Sequence, residues 1–300
     1  MVSLDLLIAA PSDPATLNSW GDVHFARALQ RGFQRLGVTT RLLFRDTYQT
    51  ALPPAEDAVL LVLRGKMKPD LHWLVQSGYR HRLVWLISWP DDPSPSELAC
   101  YDLGFSASHQ DLERLRGLSR YAWHALPQAT EFLLQGPPRP VRTGLLFVGN
   151  CRGGPRPMVE LFDRAGLNLC LFGAGWTGAG YLSRGDQIAN GALPGLYRRS
   201  LAVLNDHHPA MARLGYLSNR VFDVLACGVP VISDSIAGCP GELQDLVVIH
   251  TPDQDPLDTL AKVTHLRSDV DRLRDRALDV HRHHSFRCRA EEILNWMSKL

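Results

Sequence analysis

The residues with most chemical content fall in the second half of the chain. Asn205-Asp206-His207-His208-Pro209 follows a short apolar run, and Ser218-Asn219-Arg220-Val221-Phe222-Asp223 opens a stretch that turns helical. Asn219 and Asp223 are four apart and Arg220 and Asp223 three apart, so they share one side of a helix, in its first turns. Upstream, Gly149-Asn150-Cys151-Arg152-Gly153-Gly154-Pro155-Arg156 and Gly173-Ala174-Gly175-Trp176-Thr177-Gly178 each follow an apolar run. Glycines let a phosphate approach the main chain, and two arginines neutralise a diphosphate. A carboxylate such as Asp223 can accept both hydroxyls of a ribose. These types and placements describe a pocket for a nucleoside diphosphate. Taken alone, the spacing of Arg220 and Asp223 fits a surface ion pair capping a buried helix equally well.

These residues need elements to carry them. Leu201–Leu204 is a short buried strand, ended by the polar, Pro-terminated loop. The helix after Ser218 has an apolar face of Val221, Phe222, Leu225 and Ala226, and Gly228 and Pro230 stop it. Val231-Ile232 starts the next strand. Strands Leu145–Val148 and Leu169–Phe172, a helix over 158–165 and a last strand over 245–250 complete a parallel α/β pattern, with helical, charged sequence over 256–284. In such sheets ligands bind at the strand carboxyl ends, and helix N-termini favour anions. The first half repeats the pattern: strands over 4–10, 38–44, 58–63, 83–87 and 104–108, helices over 23–36 and 110–116, and a short strand over 125–128. Gln135-Gly136-Pro137-Pro138-Arg139-Pro140 reads as a semi-rigid linker, so two domains are expected, 1–136 and 141–284, with a terminal helix over 285–300.

Composition narrows the class. The 300 residues carry a formal net charge of +1, which implies no general pull toward nucleic acid or membrane. No run approaches the ~20 apolar residues of a spanning helix, and the N-terminus reads as a first strand rather than a signal peptide. The six cysteines are scattered without C-x-x-C, which points to reduced thiols, a cytoplasmic protein and no zinc site. Gly173–Gly178 fits G-x-G-x-x-G, but no helix opens after it and no acidic residue closes the next strand, so a nicotinamide site is rejected. Trp176 is left between lining a nucleotide cleft and packing in a core. His207-His208 and His281-Arg282-His283-His284 lack ligand spacing; the second cluster reads as a solvated helix end. Arg64, Lys66 and Lys68 read as a small basic patch, either a solvated loop or a meeting place for an anionic acceptor.

The segment SNRVFDVLACGVPVISD resembles the signature of GT-B glycosyltransferases of the glycosyl transferases group 1 type, in the branch of the spore maturation protein CgeB-like group. FVGNCRGGPR, LFGAGW, VLNDHHPAM, ISWPDDPSPSELACYD and LPQAT resemble the same group. The resemblance implies an α/β, GT-B fold: two Rossmann-like domains facing a cleft, the second holding a sugar nucleotide and the first an acceptor, with the last helix crossing back to the first domain. It implies a glycosyltransferase needing no metal and no cofactor beyond its nucleoside-diphosphate sugar donor. Asp223 matches the acidic residue used on the ribose, and Arg152 and Arg156 match the region of diphosphate contacts. Many retaining members carry a second acidic residue eight positions earlier; here that position is Gly215. Sugar recognition then falls to others, Asp206, His207 or Asn219 among them. The expected donor side is Gly149, Arg152, Arg156, Gly173, Trp176, Asn205, Asp206, His207, Ser218, Asn219, Arg220 and Asp223. Asp22 and His24 are the base candidates, with Asp91 third, and Gly21, Ser88 and Asp91 form the acceptor side. The rival readings are a sugar-nucleotide epimerase of the same fold and a non-catalytic nucleotide- or glycan-binding relative.

Overall fold

The structure, a computed structural model, describes residues 3–136, 140–152, 154, 156–234, 237 and 239–300. Two compact units emerge from its internal contacts. The first comprises Met1–Ala129, His208–Leu217 and Ser285–Leu300, the second Thr130–His207 and Ser218–His284.

The first unit is built on six parallel strands in the order β2-β1-β3-β4-β5-β6. These are β1 (Ser3–Ile8), β2 (Thr39–Phe44), β3 (Val59–Arg64), β4 (His81–Leu86), β5 (Leu103–Ser106) and β6 (Ala122–Ala125). Both faces of the sheet are covered, so central β3 is apolar from Val59 to Leu63 and buried throughout. On one face Leu4, Leu6, Ile8, Leu61 and Trp85 pack with α1 (Gly21–Arg35) and a terminal helix (Phe286–Met297). A Cβ on Gly32 would lie 2.7 Å from the Phe286 carbonyl, so glycine permits that close approach. The opposite face buries Leu7, Leu60, Val62 and Val84.

The second unit holds five parallel strands in the order β11-β10-β9-β7-β8. They are β7 (Thr143–Val148), β8 (Leu169–Phe172), β9 (Ser200–Asn205), β10 (Val231–Ser233) and β11 (Val247–Ile249). Its core joins Leu145, Phe147, Phe162, Trp176, Leu204 and Ile232.

Several local expectations shift. The strand expected over 125–128 is β6, three residues earlier, where Trp123 buries its ring over Gly104. The strand expected over 245–250 is β11, Val247–Ile249, and it begins two residues later because a 3-10 segment, Gly241–Leu246, runs up to it. Residues 256–284 are two helices, Pro256–Ser268 and Val270–His283, because the Asp269 carboxylate accepts from the Arg272 amide and caps the second. The loop after β9 contains a helix, Pro209–Leu214, ended by Gly215 at φ +76°. A side chain at Gly215 would strain that left-handed turn, which gives a physical reason for the missing acidic residue.

Candidate functional site

In the second unit the chain passes from β7 to β8 on one flank and then to β9 on the other. The carboxyl ends of β7 and β9 therefore form the topological switch point, the place where open parallel sheets bind ligands. Gly149 follows β7 there. Its N–H donates to the Phe172 carbonyl at 2.8 Å, and its own carbonyl accepts from the Trp176 indole at 2.8 Å. Gly173, at φ +133°, lies so close that a Cβ would meet the Gly149 oxygen at 2.2 Å. Trp176 is fully buried and edge-on to Phe147 at 5.6 Å. It is a prop under the Gly149 turn and presents no face to a ligand, contrary to its place in the expected lining.

Phe147 carries the two arginines of the rim. The Arg220 guanidinium sits 4.8 Å and that of Arg156 5.5 Å from its ring centre. Arg220 Nη1 donates to Asn205 Oδ1 at 3.0 Å. Arg156 forks onto Asp206, Nε reaching Oδ2 at 3.0 Å while Nη2 binds Oδ1. Asn205 and Asp206 are themselves buried, so β9 fixes both anchors. Arg152 is exposed, at φ +53°. Burial, with Arg156 and Arg152 nearby, lowers the pKa of Arg220. An anion placed beside these three guanidinium groups would offset that cost.

His207 ties the rim together. Its Nε2 accepts from the Ser218 amide at 2.9 Å, so the ring proton is on Nδ1, which donates to Asp234 at 2.6 Å. Asp234 also accepts from the His207 amide at 2.8 Å. Ser218 caps helix α8 (Asn219–Ala226), which follows α7 (Pro209–Leu214). His207 thus fixes the start of α8 against the ends of β9 and β10 and has no open ring nitrogen for a sugar.

Arg220 and Asp223 make no ion pair among the described residues; Arg220 turns to Asn205, while Asp223 Oδ1 accepts from Thr130 at 2.6 Å and Oδ2 from Asn219 at 2.9 Å. Burial pushes the Asp223 pKa up to about 7. Asn219 Oδ1 is buried without a partner.

The structure describes the first-unit candidates separately. Gly21 opens α1 and Asp22 lies in its first turn. His24 Nε2 is 3.0 Å from the Asn18 carbonyl, which occupies that nitrogen as a donor and leaves Nδ1 as the basic atom. Ser88 follows β4, with its hydroxyl packed over Gly65, and Asp91 is exposed. Arg64 is not part of a solvated patch. It is fully buried, forked onto buried Glu97 at 2.6 and 3.2 Å and bonded to Asp92 at 2.6 Å. Nor is His284 solvated: it is buried beside Glu242 and the Phe222 ring. His208 points away from His207, its ring 4.4 Å from Trp89 in the first unit.

Sequence reasoning passed over Phe147, Thr130 and Asp234. Thr130 lay in the LPQAT stretch and Asp234 at the end of an apolar run, but nothing local tied either to Asp223 or His207.

The chain superposes over its whole length on sucrose-phosphate synthase from Thermosynechococcus elongatus, with 12% identity, coverage of 100% of this chain and 99% of that one, and a TM-score of 0.65. The fold is that of the GT-B glycosyltransferases. An alpha-glucosyltransferase (AGT) in complex with UDP is similar at 11% identity, 99% and 100% coverage and a TM-score of 0.67. Trehalose-6-phosphate synthase OtsA is similar at 12%, 99% and 99%, and 0.64. A family model described as Glycosyl transferase-like matches residues 152–295. No curated protein matches the sequence. The matched model spans the rim from Arg152 to Asp234, and together with the GT-B fold it supports glycosyl transfer as the class of activity. Among the described residues no helix is long and apolar enough to cross a membrane.

Proposed function

We propose that the protein transfers a sugar from a nucleoside-diphosphate sugar to an acceptor, without a metal, as a cytoplasmic enzyme of the CgeB-like branch. The observation that carries the reading is the rim of the second unit. Gly149, Arg156 and Arg220 converge over Phe147 at the β7–β9 switch point, beside the N-terminus of α8. Charge that develops on a departing diphosphate meets fixed guanidinium groups there. Asp206 already neutralises Arg156, whereas Arg220 donates to the neutral Asn205 amide, so Arg220 keeps its charge for an anion, with the exposed Arg152 beside it. Asp223 and Asn219 would hold the ribose, and Asp22 or His24 would serve as the base in an inverting transfer. Gly149 and Gly173 serve the main-chain contact between two loops, with a diphosphate lying above it.

The test is a thermal-shift titration with UDP first, the nucleotide bound by the similar AGT, then ADP and GDP, each beside its nucleoside and its sugar. A rise with one diphosphate, enlarged by one of its sugars and unaffected by EDTA, is expected. Arg152→Ala should weaken the diphosphates about tenfold and leave the nucleoside unchanged. Equal loss for both would remove Arg152 from the phosphate site, and no shift with any nucleotide would overturn the reading. A nucleotide-binding relative without transfer activity is the second reading, favoured by the glycine at 215; binding without turnover would establish it.

A further inference from the structure

The second unit has a cavity of about 560 Å³ at the opposite ends of its strands. Its position follows from Arg267, whose guanidinium donates to the carbonyls of Arg198 (2.8 Å), Ser200 (3.2 Å) and Gly228 (3.3 Å). Ser200 begins β9, and Gly228 lies in the turn before β10. The switch-point rim is at the other end of both strands, and α8 runs between the two places, from Asn219 at the rim to Cys227 and Gly228 in the cavity wall.

Among the described residues its lining is rich in positive charge: it holds Arg198, Arg267 and Arg274 with one carboxylate, Asp271. Arg198 is only 5% exposed, and its Nη2 donates to the Gly136 carbonyl at 3.2 Å. The carbonyls bonded to Arg267 take three of its five N–H hydrogens and carry no full charge, so its own charge is not cancelled by them. Burial and the neighbouring Arg198 both lower its pKa. A guanidinium needing a counter-charge beside a second one is a setting in which an anion makes charge-assisted hydrogen bonds at little desolvation cost to the protein, since that cost is already met on folding.

The rest of the wall is apolar. Leu273 is buried, while Val270 and Leu278, on the charged helix α10 (Val270–His283), stay 39% and 45% exposed at the cavity. Two large apolar side chains left in water beside a basic floor suit a ligand with two ends. We infer that this cavity binds a small amphiphile, an anionic phosphate or carboxylate head on Arg198 and Arg267 with an apolar body against Leu273, Val270 and Leu278. The inference is independent of the sugar-nucleotide reading, since it uses none of the rim residues.

Octyl phosphate, kept below its critical micelle concentration, is the probe, measured by isothermal titration calorimetry on the full chain. Inorganic phosphate and octyl glucoside are the controls for head and tail. Saturable one-to-one binding of octyl phosphate, at least about tenfold tighter than either control, is expected. Leu278→Glu, at an exposed position, should weaken it about tenfold or more through charge repulsion and lost apolar contact, with the melting temperature unchanged. Arg198→Gln should weaken octyl phosphate and leave octyl glucoside as it was. Three results would each overturn the inference: no saturable binding of octyl phosphate, affinity equal to that of octyl glucoside, or binding indifferent to Leu278→Glu. Binding to anionic vesicles without binding of monomeric octyl phosphate would also overturn it, in favour of a membrane surface. UDP titrated in parallel reads the rim separately, so failure at one site is not mistaken for failure at the other.

Discussion

Asp223→Asn should make the protein more stable at alkaline pH while weakening the site. Burial raises the folded-state pKa of Asp223 from 3.8 to about 7. The folded protein therefore holds this proton more tightly than the unfolded chain does. Stability that is fully present below the unfolded pKa is lost as pH rises through the folded value. Each unit is worth about 1.4 kcal/mol, so the full loss is about 4 kcal/mol, with about 3 kcal/mol of it between pH 5 and pH 8. Asparagine does not titrate, and the surroundings can accept it. Thr130 still donates to Oδ1, and a turn of the Asn219 amide brings its unpartnered Oδ1 to the new Nδ2. Urea denaturation of both proteins at pH 5 and pH 8 measures the effect. The variant should gain about 3 kcal/mol relative to the native protein between the two pH values. Its nucleotide affinity should fall at pH 8, where the carboxylate is the better acceptor for ribose hydroxyls. Parallel pH profiles for the two proteins would refute the raised pKa. A variant that is less stable at pH 8 would show that the ionised carboxylate, with its two donors, is the preferred state.

Two further substitutions probe the scaffold of the same site. Gly173→Ala combines a φ of +133° with a Cβ 2.2 Å from the Gly149 oxygen, so it should cost about 3 kcal/mol or more and weaken nucleotide binding through the displaced turn; unchanged denaturation would refute the backbone contact. His207→Leu leaves Asp234 and the Ser218 amide without their shared partner and should cost about 2–4 kcal/mol, with faster amide exchange in the first turn of α8. Unaltered exchange there would show that Ser218 alone holds the helix start.

The architecture was legible because burial on both faces of a parallel sheet writes itself into the chain. Leu60-Leu61-Val62-Leu63 can be little else than a central strand, and Gly228 and Pro230 punctuate α8 plainly. β6 was harder, since Ala122-Trp123-His124-Ala125 has no apolar run; its strand character comes from pairing with β5. The helix α7 was hidden for a related reason. Pro209 reads as a stop after a strand, yet it occupies the first turn of a helix, and Tyr216 just beyond anchors this segment in the first unit by bonds to Ser106 (2.8 Å) and Asp111 (2.7 Å). A proline has both meanings, and only packing chooses between them.

The same division runs through the rim. Helical spacing correctly put Asn219, Arg220 and Asp223 on one side of α8, but spacing says who can be neighbours, not where each side chain turns. Arg220 goes to Asn205, 15 positions away, and Asp223 to Thr130, 93 positions away. Each choice removes the ion pair that the sequence allowed and leaves one group more reactive than its type suggests: a guanidinium with no carboxylate bonded to it among the described residues, and a carboxylate whose pKa burial pushes up to about 7. Phe147 makes this possible. A polar residue in its place could bond either arginine and draw it down into the sheet, whereas an aromatic face holds both cations by their flat sides and leaves their N–H edges to Asn205, Asp206 and an incoming anion. A search ranked by charge and hydrogen-bonding capacity passes over such a residue, although it sets the orientation of the groups that search selects.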